Sequence, residues 1–281
     1  MKFCRVFLWS GLILAATFSV SGQSASTNGP SSVQPATVKD YLTSHLSYYE
    51  PIYFIVGSSP AAEFQISLKY EVFTYTNGWA QNLNNFYFAY TQTSFWNLIT
   101  NDPAFYDTSY KPSAFLYYTN IFRAPGDNLF HTDIQGGFEH ESNGRGGTLE
   151  RSLYTLYAQP TFTYGRAEGW QIALKPRAWI YTMVGDNNRD IPAYRGYADL
   201  IATISKGTTA KWGGMELMTT FHLGDQGTHP GLKFDFFFDL PRFLGFNPAL
   251  QVEYFTGYGQ TLLQYNTYSH GIRGGLCLWY K

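Results

Sequence analysis

Between Ala62 and Phe73 hydrophobic and polar residues alternate: Phe64, Ile66, Leu68, Tyr70 and Val72 fall on one parity, and Gln65, Ser67, Lys69 and Glu71 on the other. Side chains of one parity project from one face of a strand, so this period of two predicts a β-strand with one apolar and one polar face. The same rhythm returns where Leu232, Phe234, Phe236 and Phe238 oppose Lys233, Asp235 and Asp239, and where Leu250, Val252 and Tyr254 oppose Gln251 and Glu253. Near the C-terminus Ile272, Leu276, Leu278 and Tyr280 oppose Arg273. About twelve such segments follow one another, over residues 51–57, 62–73, 85–97, 112–122, 128–142, 152–164, 169–183, 194–205, 208–222, 231–240, 247–258 and 270–280. Nearly every second face carries charges, and opposite signs recur. A soluble sandwich would have to hide one face and solvate the other. An all-β transmembrane antiparallel barrel, with lipid outside and a polar, filled interior, explains both.

An even strand count puts both termini on one side, the periplasmic side in bacterial barrels. Short turns such as 124–128 and 165–169 then fall there, and the longer polar loops near 98–111, 143–151, 184–193, 223–230 and 259–269 fall on the outer side.

Composition strengthens this picture. Aromatic residues make up 19% of the 281 positions and charged residues only 14%, against roughly 25% charged in ordinary soluble domains. Yet mean hydropathy is −0.22, and nothing after the N-terminus reaches the roughly 18 continuous apolar residues of a membrane helix. A net charge of −1 gives no electrostatic reason to expect a nucleic-acid partner. Lys2 and Arg5 precede an apolar run from Val6 to Val20 followed by small residues, which predicts a signal peptide over 1–22. Residues 23–48 are rich in Ser, Gln, Thr and Pro and predict a flexible periplasmic leader, with the barrel domain over 49–281. Cys4 falls within the signal, leaving Cys277 without a disulfide partner in the mature chain.

One predicted strand carries chemistry. Phe130, Thr132, Ile134, Gly136, Phe138, His140 and Ser142 share a parity, so a histidine and a serine are neighbours on an otherwise apolar face. An imidazole beside a hydroxyl is how a general base activates a nucleophile. Asn143-Gly144-Arg145-Gly146-Gly147 follows directly as a turn rich in backbone donors and acceptors. It lacks the strand–loop–helix context of a phosphate cradle. His45, His131, His222, His229 and His270 lack metal-ligand spacing.

The stretch Phe138-Glu139-His140-Glu141-Ser142-Asn143-Gly144-Arg145 resembles the active-site strand of outer-membrane phospholipase A. Tyr90-Thr91-Gln92-Thr93-Ser94-Phe95-Trp96, Tyr110-Lys111-Pro112, Arg151-Ser152 with Leu156-Tyr157, Lys175-Pro176, Asp190-Ile191 and Tyr254 to Tyr258 match that family in order and spacing. The resemblance implies a twelve-stranded barrel that hydrolyses phospholipids and lysophospholipids on its outer wall, depends on calcium (Ca2+) and is activated as a homodimer. It implies Ser142 as nucleophile, His140 as general base, and the Gly144 backbone N–H as oxyanion donor. For calcium it implies the Arg145 backbone carbonyl, Glu150 in place of a serine-type ligand, Asn187 at an acidic position, and a ligand from the partner subunit's 98–111 loop, placed at Asp102. The family's histidine-orienting asparagine falls on Tyr154 here. The expectation is that the Tyr154 phenol oxygen accepts the second imidazole N–H, directly or through water, with Glu141 or Glu150 as alternatives. Two further classes compete: a non-catalytic barrel, porin or structural, and a soluble β-protein with a lipid pocket. The exposed aromatic faces disfavour the second, and the charged inner faces of so narrow a barrel disfavour a wide channel.

Overall fold

The computed structural model describes residues 44–58, 60–75, 77–98, 105–126, 129–208 and 213–279. The predicted signal peptide, nearly all of the predicted leader and Asp102 lie outside the described residues. The alternating segments become β1 (Leu46–Tyr48), β2 (Ile52–Gly57), β3 (Ala62–Glu71), β4 (Phe86–Trp96), β5 (Phe105–Arg123), β6 (Phe130–Ser142), β7 (Ser152–Gly165), β8 (Trp170–Val184), β9 (Ala198–Lys206), β10 (Met215–His222), β11 (Gly231–Asp239), β12 (Ala249–Gly257) and β13 (Ser269–Trp279). From β2 onward each strand pairs antiparallel with its successor, and β13 returns to pair with β2. The sheet from β2 to β13 therefore closes on itself. β1 and β2 lie along the same side of β3, Tyr48 opposite Leu68 and Tyr53 opposite Gln65, with Tyr49–Pro51 bulging between them. They fill one position of a twelve-position barrel.

The two parities do what alternation predicts. Phe54, Ile66, Phe88, Leu156, Leu250, Ile272 and Leu276 are exposed on the outside. Inside, charges pair. Arg273 bridges Glu63 at 3.0 Å and also meets Glu253, Lys233 lies 3.1 Å from Asp235, and Arg177 lies 2.9 Å from Glu139. All of these side chains except Glu139 line an internal cavity of about 770 Å³. Apolar clusters are small and local, one of them formed by Tyr53, Ile55, Phe237, Ala249 and Cys277. No helix among the described residues is long and apolar enough to cross a membrane.

Several boundaries differ from the sequence reading. Pro192–Arg195 forms a short helix, so β9 begins at Ala198 and not at 194, and β10 begins at Met215 and not at 208. The sheet begins at Leu46, inside the stretch read as leader. β5 begins at Phe105, although residues to 111 read as loop. Asp107, Thr108 and Ser109 look like loop chemistry, but Asp107 and Ser109 find partners inside the barrel, and Thr108, on the other parity, donates to Ser94 at 3.2 Å; Asp107 Oδ1 has no hydrogen-bond partner among the described residues. Asp107 Oδ2 accepts the Leu263 N–H at 2.7 Å, and Ser109 donates to Glu141 at 2.6 Å. Pro112 stands mid-strand, where the β5–β6 pairing runs from Tyr110↔Ser142 to Ser113↔Glu139 and skips the two rungs at Lys111 and Pro112; the proline has no N–H to give.

Loop 258–268 folds into the barrel mouth nearest Ser142. Leu262 and Tyr265 are each 2% exposed and pack with Leu153 and Ile191. Burying a leucine this fully stabilises by about 2 kcal/mol. The Tyr265 hydroxyl donates to Asp190. Burial, and then the Asp190 carboxylate, push the Tyr265 phenol above its usual range, so it stays a donor at working pH.

Candidate active site

β6 and β7 run in unbroken register from Phe130↔Tyr164 to Ser142↔Ser152. This pairing places Tyr154 opposite His140 and Leu156 opposite Phe138, all four on the outer face. His140 and Ser142 are half-buried neighbours at the end of the strand. The Tyr154 ring lies 4.2 Å from the imidazole, tilted 32°, and 5.7 Å from Phe138. An aromatic stack thus supports His140 from below.

Among the described residues the imidazole makes one hydrogen bond, and its partner is not Tyr154. Nδ1 donates to the Leu153 backbone carbonyl at 3.1 Å. A carbonyl has no proton to give, so Nδ1 carries the hydrogen and Nε2 the lone pair. Tyr154 contributes a ring contact where the sequence predicts a phenol acceptor. Glu141 is excluded as the orienting group because it turns into the barrel, where Arg195 donates to it at 2.8 Å and Ser109 at 2.6 Å. Glu150 is exposed on the turn, and its backbone oxygen accepts from Arg151. The Ser142 hydroxyl makes no hydrogen bond among the described residues, which leaves it available to Nε2.

The turn after Ser142 is built around Asn143, which is 4% exposed. Its Oδ1 accepts the N–H groups of Arg145 at 3.3 Å and Arg151 at 3.0 Å, and its Nδ2 donates to Leu149 O at 2.9 Å. Gly144 has φ +65°, the left-handed region that favours glycine, and a Cβ there would stand 2.8 Å from the Tyr110 ring. Its N–H has no acceptor among the described residues. The Arg145 guanidinium reaches back to the carbonyls of Phe105 at 3.1 Å and Tyr106 at 2.7 Å. Its charge is therefore drawn away from its own carbonyl, which accepts no hydrogen bond among the described residues. Asn187 Nδ2 donates to Gly147 O at 2.9 Å, so the 185–197 loop abuts the turn. No group of three or more His, Cys, Asp or Glu side chains placed to hold a metal ion occurs among the described residues; the donors the resemblance implies, the Arg145 carbonyl, the Glu150 carboxylate and the Asn187 amide oxygen, are all hard oxygens. That set suits calcium and does not suit the nitrogen and sulfur preferences of zinc.

Sequence reasoning missed three contributors. Leu153 acts through its backbone, which no side-chain pattern reveals. Asn188 is fully buried and grips Ser152, accepting its N–H at 3.2 Å and donating to its carbonyl at 3.0 Å. Asn143 sits inside the motif but reads only as a turn residue.

The phospholipase A1 family model matches residues 36–278. The phospholipase A1 of Escherichia coli K12 is 28% identical over 180 residues, covering 63% of this chain and 56% of that protein. That of Klebsiella pneumoniae is 28% identical over 192 residues, covering 68% and 61%. The chain thus spans little more than half the length of the curated relatives it matches. Among solved structures, outer membrane phospholipase A from Escherichia coli aligns with a TM-score of 0.67 at 23% identity, covering 84% of this chain and 98% of that one. The Salmonella typhi outer membrane phospholipase dimer with bound calcium gives 0.66 at 22%, covering 84% and 92%. At these identities the likeness is one of fold.

Proposed function

The chain belongs to the phospholipase A1 family, and from that premise we propose that it hydrolyses acyl ester bonds of glycerophospholipids and lysophospholipids in the bacterial outer membrane. The observation that carries this reading is the His140–Ser142 pair on the outward face of β6, with Nδ1 committed to Leu153 and the lone pair left on Nε2. Ser142 Oγ attacks the ester carbonyl carbon while His140 Nε2 takes the hydroxyl proton. The ester C–O bond then breaks, and the imidazolium returns that proton to the departing lysolipid alkoxide. Water, deprotonated by the same nitrogen, releases the fatty acid and restores Ser142. The unoccupied Gly144 N–H serves the oxyanion. The Arg145 carbonyl, Glu150 and Asn187, with Asp102 from a second copy, are the residues that would hold calcium. When bound, the ion supplies positive charge against the negative charge developing on the ester oxygen.

Substrate reaches such a pair from the lipid phase, because Phe138, Tyr154 and Leu156 around it form a lipid-facing wall. Two such walls packed together suit a homodimer as the active form. The loops near Ser142 face outward from the cell and the termini face the periplasm. The test is calcium-dependent release of fatty acid from mixed micelles by the purified protein beside its Ser142→Ala variant. Release by wild type alone is expected. Equal release by both, or by neither, overturns the reading.

A further inference from the structure

A histidine that serves as general base needs something on its second nitrogen. The resemblance to outer-membrane phospholipase A implies an asparagine for that role, and its position falls on Tyr154 here. The bond instead goes to Leu153 O at 3.1 Å. That carbonyl is well aimed. Ser152 O accepts the Gly185 N–H at 2.8 Å and Tyr154 O accepts from Thr182 at 3.3 Å, both on the β8 side. Carbonyls alternate along a strand, so Leu153 O faces β6 and His140. Chemically it is the same acceptor as an asparagine side chain, a neutral amide oxygen. Neutrality suits an apolar boundary where an unpaired carboxylate would be costly.

The side chain of Leu153 points the other way. It is 4% exposed and packs inside the barrel against Ile191, Leu262 and Tyr265. Those partners belong to the 185–197 and 258–268 loops, which are fastened in turn by Asp107 to the Leu263 N–H and by Asp190 to Tyr265. Asn188 holds the preceding residue, Ser152, through both backbone groups.

We propose that Leu153 is the positioning residue of the His140–Ser142 pair: its backbone carbonyl fixes the Nδ1–H tautomer of His140, and its buried side chain ties that carbonyl to the loop closing the barrel mouth. This rests on the hydrolase reading above. Tyr154 sets the plane of the imidazole through ring contact and leaves its tautomer to Leu153. The mouth loop thereby governs which imidazole nitrogen carries the lone pair on the outer wall.

The experiment is nitrogen NMR of histidine-labelled protein in micelles, with the His140→Gln variant assigning the signal, alongside steady-state kinetics. Neutral His140 is expected as the Nδ1–H tautomer. Leu262→Ala removes packing behind Leu153. It should lower kcat about tenfold with KM nearly unchanged, and shift the His140 signal toward mixed tautomers. Leu262→Met should restore both. Ile55→Ala, a similar truncation in the separate cluster formed by β2, β11, β12 and β13, should move neither. Should Leu262→Ala fail to fold, an ester in place of the Leu153–Tyr154 amide weakens the same carbonyl and should give the same losses. An Nε2–H tautomer in wild type, or variants that leave kcat and tautomer unmoved, overturns the proposal while hydrolysis itself stands. A correct tautomer without any hydrolysis by wild type overturns the hydrolase reading, and the positioning role with it.

Discussion

Along β6 the residues Glu139 and Glu141 alternate with Phe138, His140 and Ser142, and the two faces treat polar atoms in opposite ways. Inside, Glu141 accepts from Arg195 and Ser109, and Glu139 is held by Arg177, whose guanidinium also stacks 4.1 Å from the Tyr157 ring. Outside, His140 spends one nitrogen on Leu153, and Ser142 has no hydrogen bond among the described residues. Charges buried in a barrel must be paired, or folding loses several kcal/mol per ion. A nucleophile must keep a lone pair free, or it has nothing to attack with. Ionic character therefore marks the structural face of this strand, and unspent hydrogen-bonding capacity marks the chemical one.

The sharpest way to break this contrast is at the outer pair. Ser142→Ala and His140→Ala should each reduce fatty-acid release by about 10³-fold or more, while the unheated barrel keeps its fast migration in SDS gels. The inner face should respond the other way. Arg195→Ala strands Glu141 in the lumen and should cost about 3–5 kcal/mol of stability, read as a lower denaturant midpoint in micelles, with the rate per folded molecule falling far less than in Ser142→Ala. Smaller again, Glu150→Gln weakens a hard oxygen donor and should raise the calcium needed for half-maximal rate by about tenfold, with magnesium a poor substitute because it demands stricter octahedral geometry. Smallest is Tyr154→Phe. It keeps the ring that packs 4.2 Å from His140 and should change kcat by less than about twofold, about 0.4 kcal/mol. A tenfold loss there would return the orienting role to the phenol.

The barrel was legible wherever one face is apolar and the other polar, as in β3, β11 and β12. Legibility failed where both faces are polar. The first residues of β5 include Asp107, Thr108 and Ser109, and only their three-dimensional contacts, with Leu263, Ser94 and Glu141, show that these are strand residues. β1 was hidden for a different reason: three residues are too few to display a period, and a bulge at Tyr49–Pro51 separates them from β2. In the candidate site, parity alone brought His140, Ser142 and Tyr154 to one surface, and register then set Tyr154 opposite His140. What parity cannot express is a main-chain acceptor. Every residue has a carbonyl, so nothing in the letter Leu at position 153 announces that its oxygen meets an imidazole. Arg145 was likewise legible only in part, since the reach of its guanidinium to Phe105 and Tyr106 depends on β5 starting earlier than its sequence suggests.

The placement of the pair on the outside of a closed wall also decides how its kinetics must be measured. For a hydrolase so built, lipid arrives and products depart by diffusion within a plane, and the 258–268 loop that fills the mouth is never crossed by either. The relevant substrate concentration is then a mole fraction at the surface. Diluting the phospholipid with inert detergent at constant bulk concentration should slow turnover, whereas diluting the whole suspension in buffer should leave the rate per protein molecule almost unchanged.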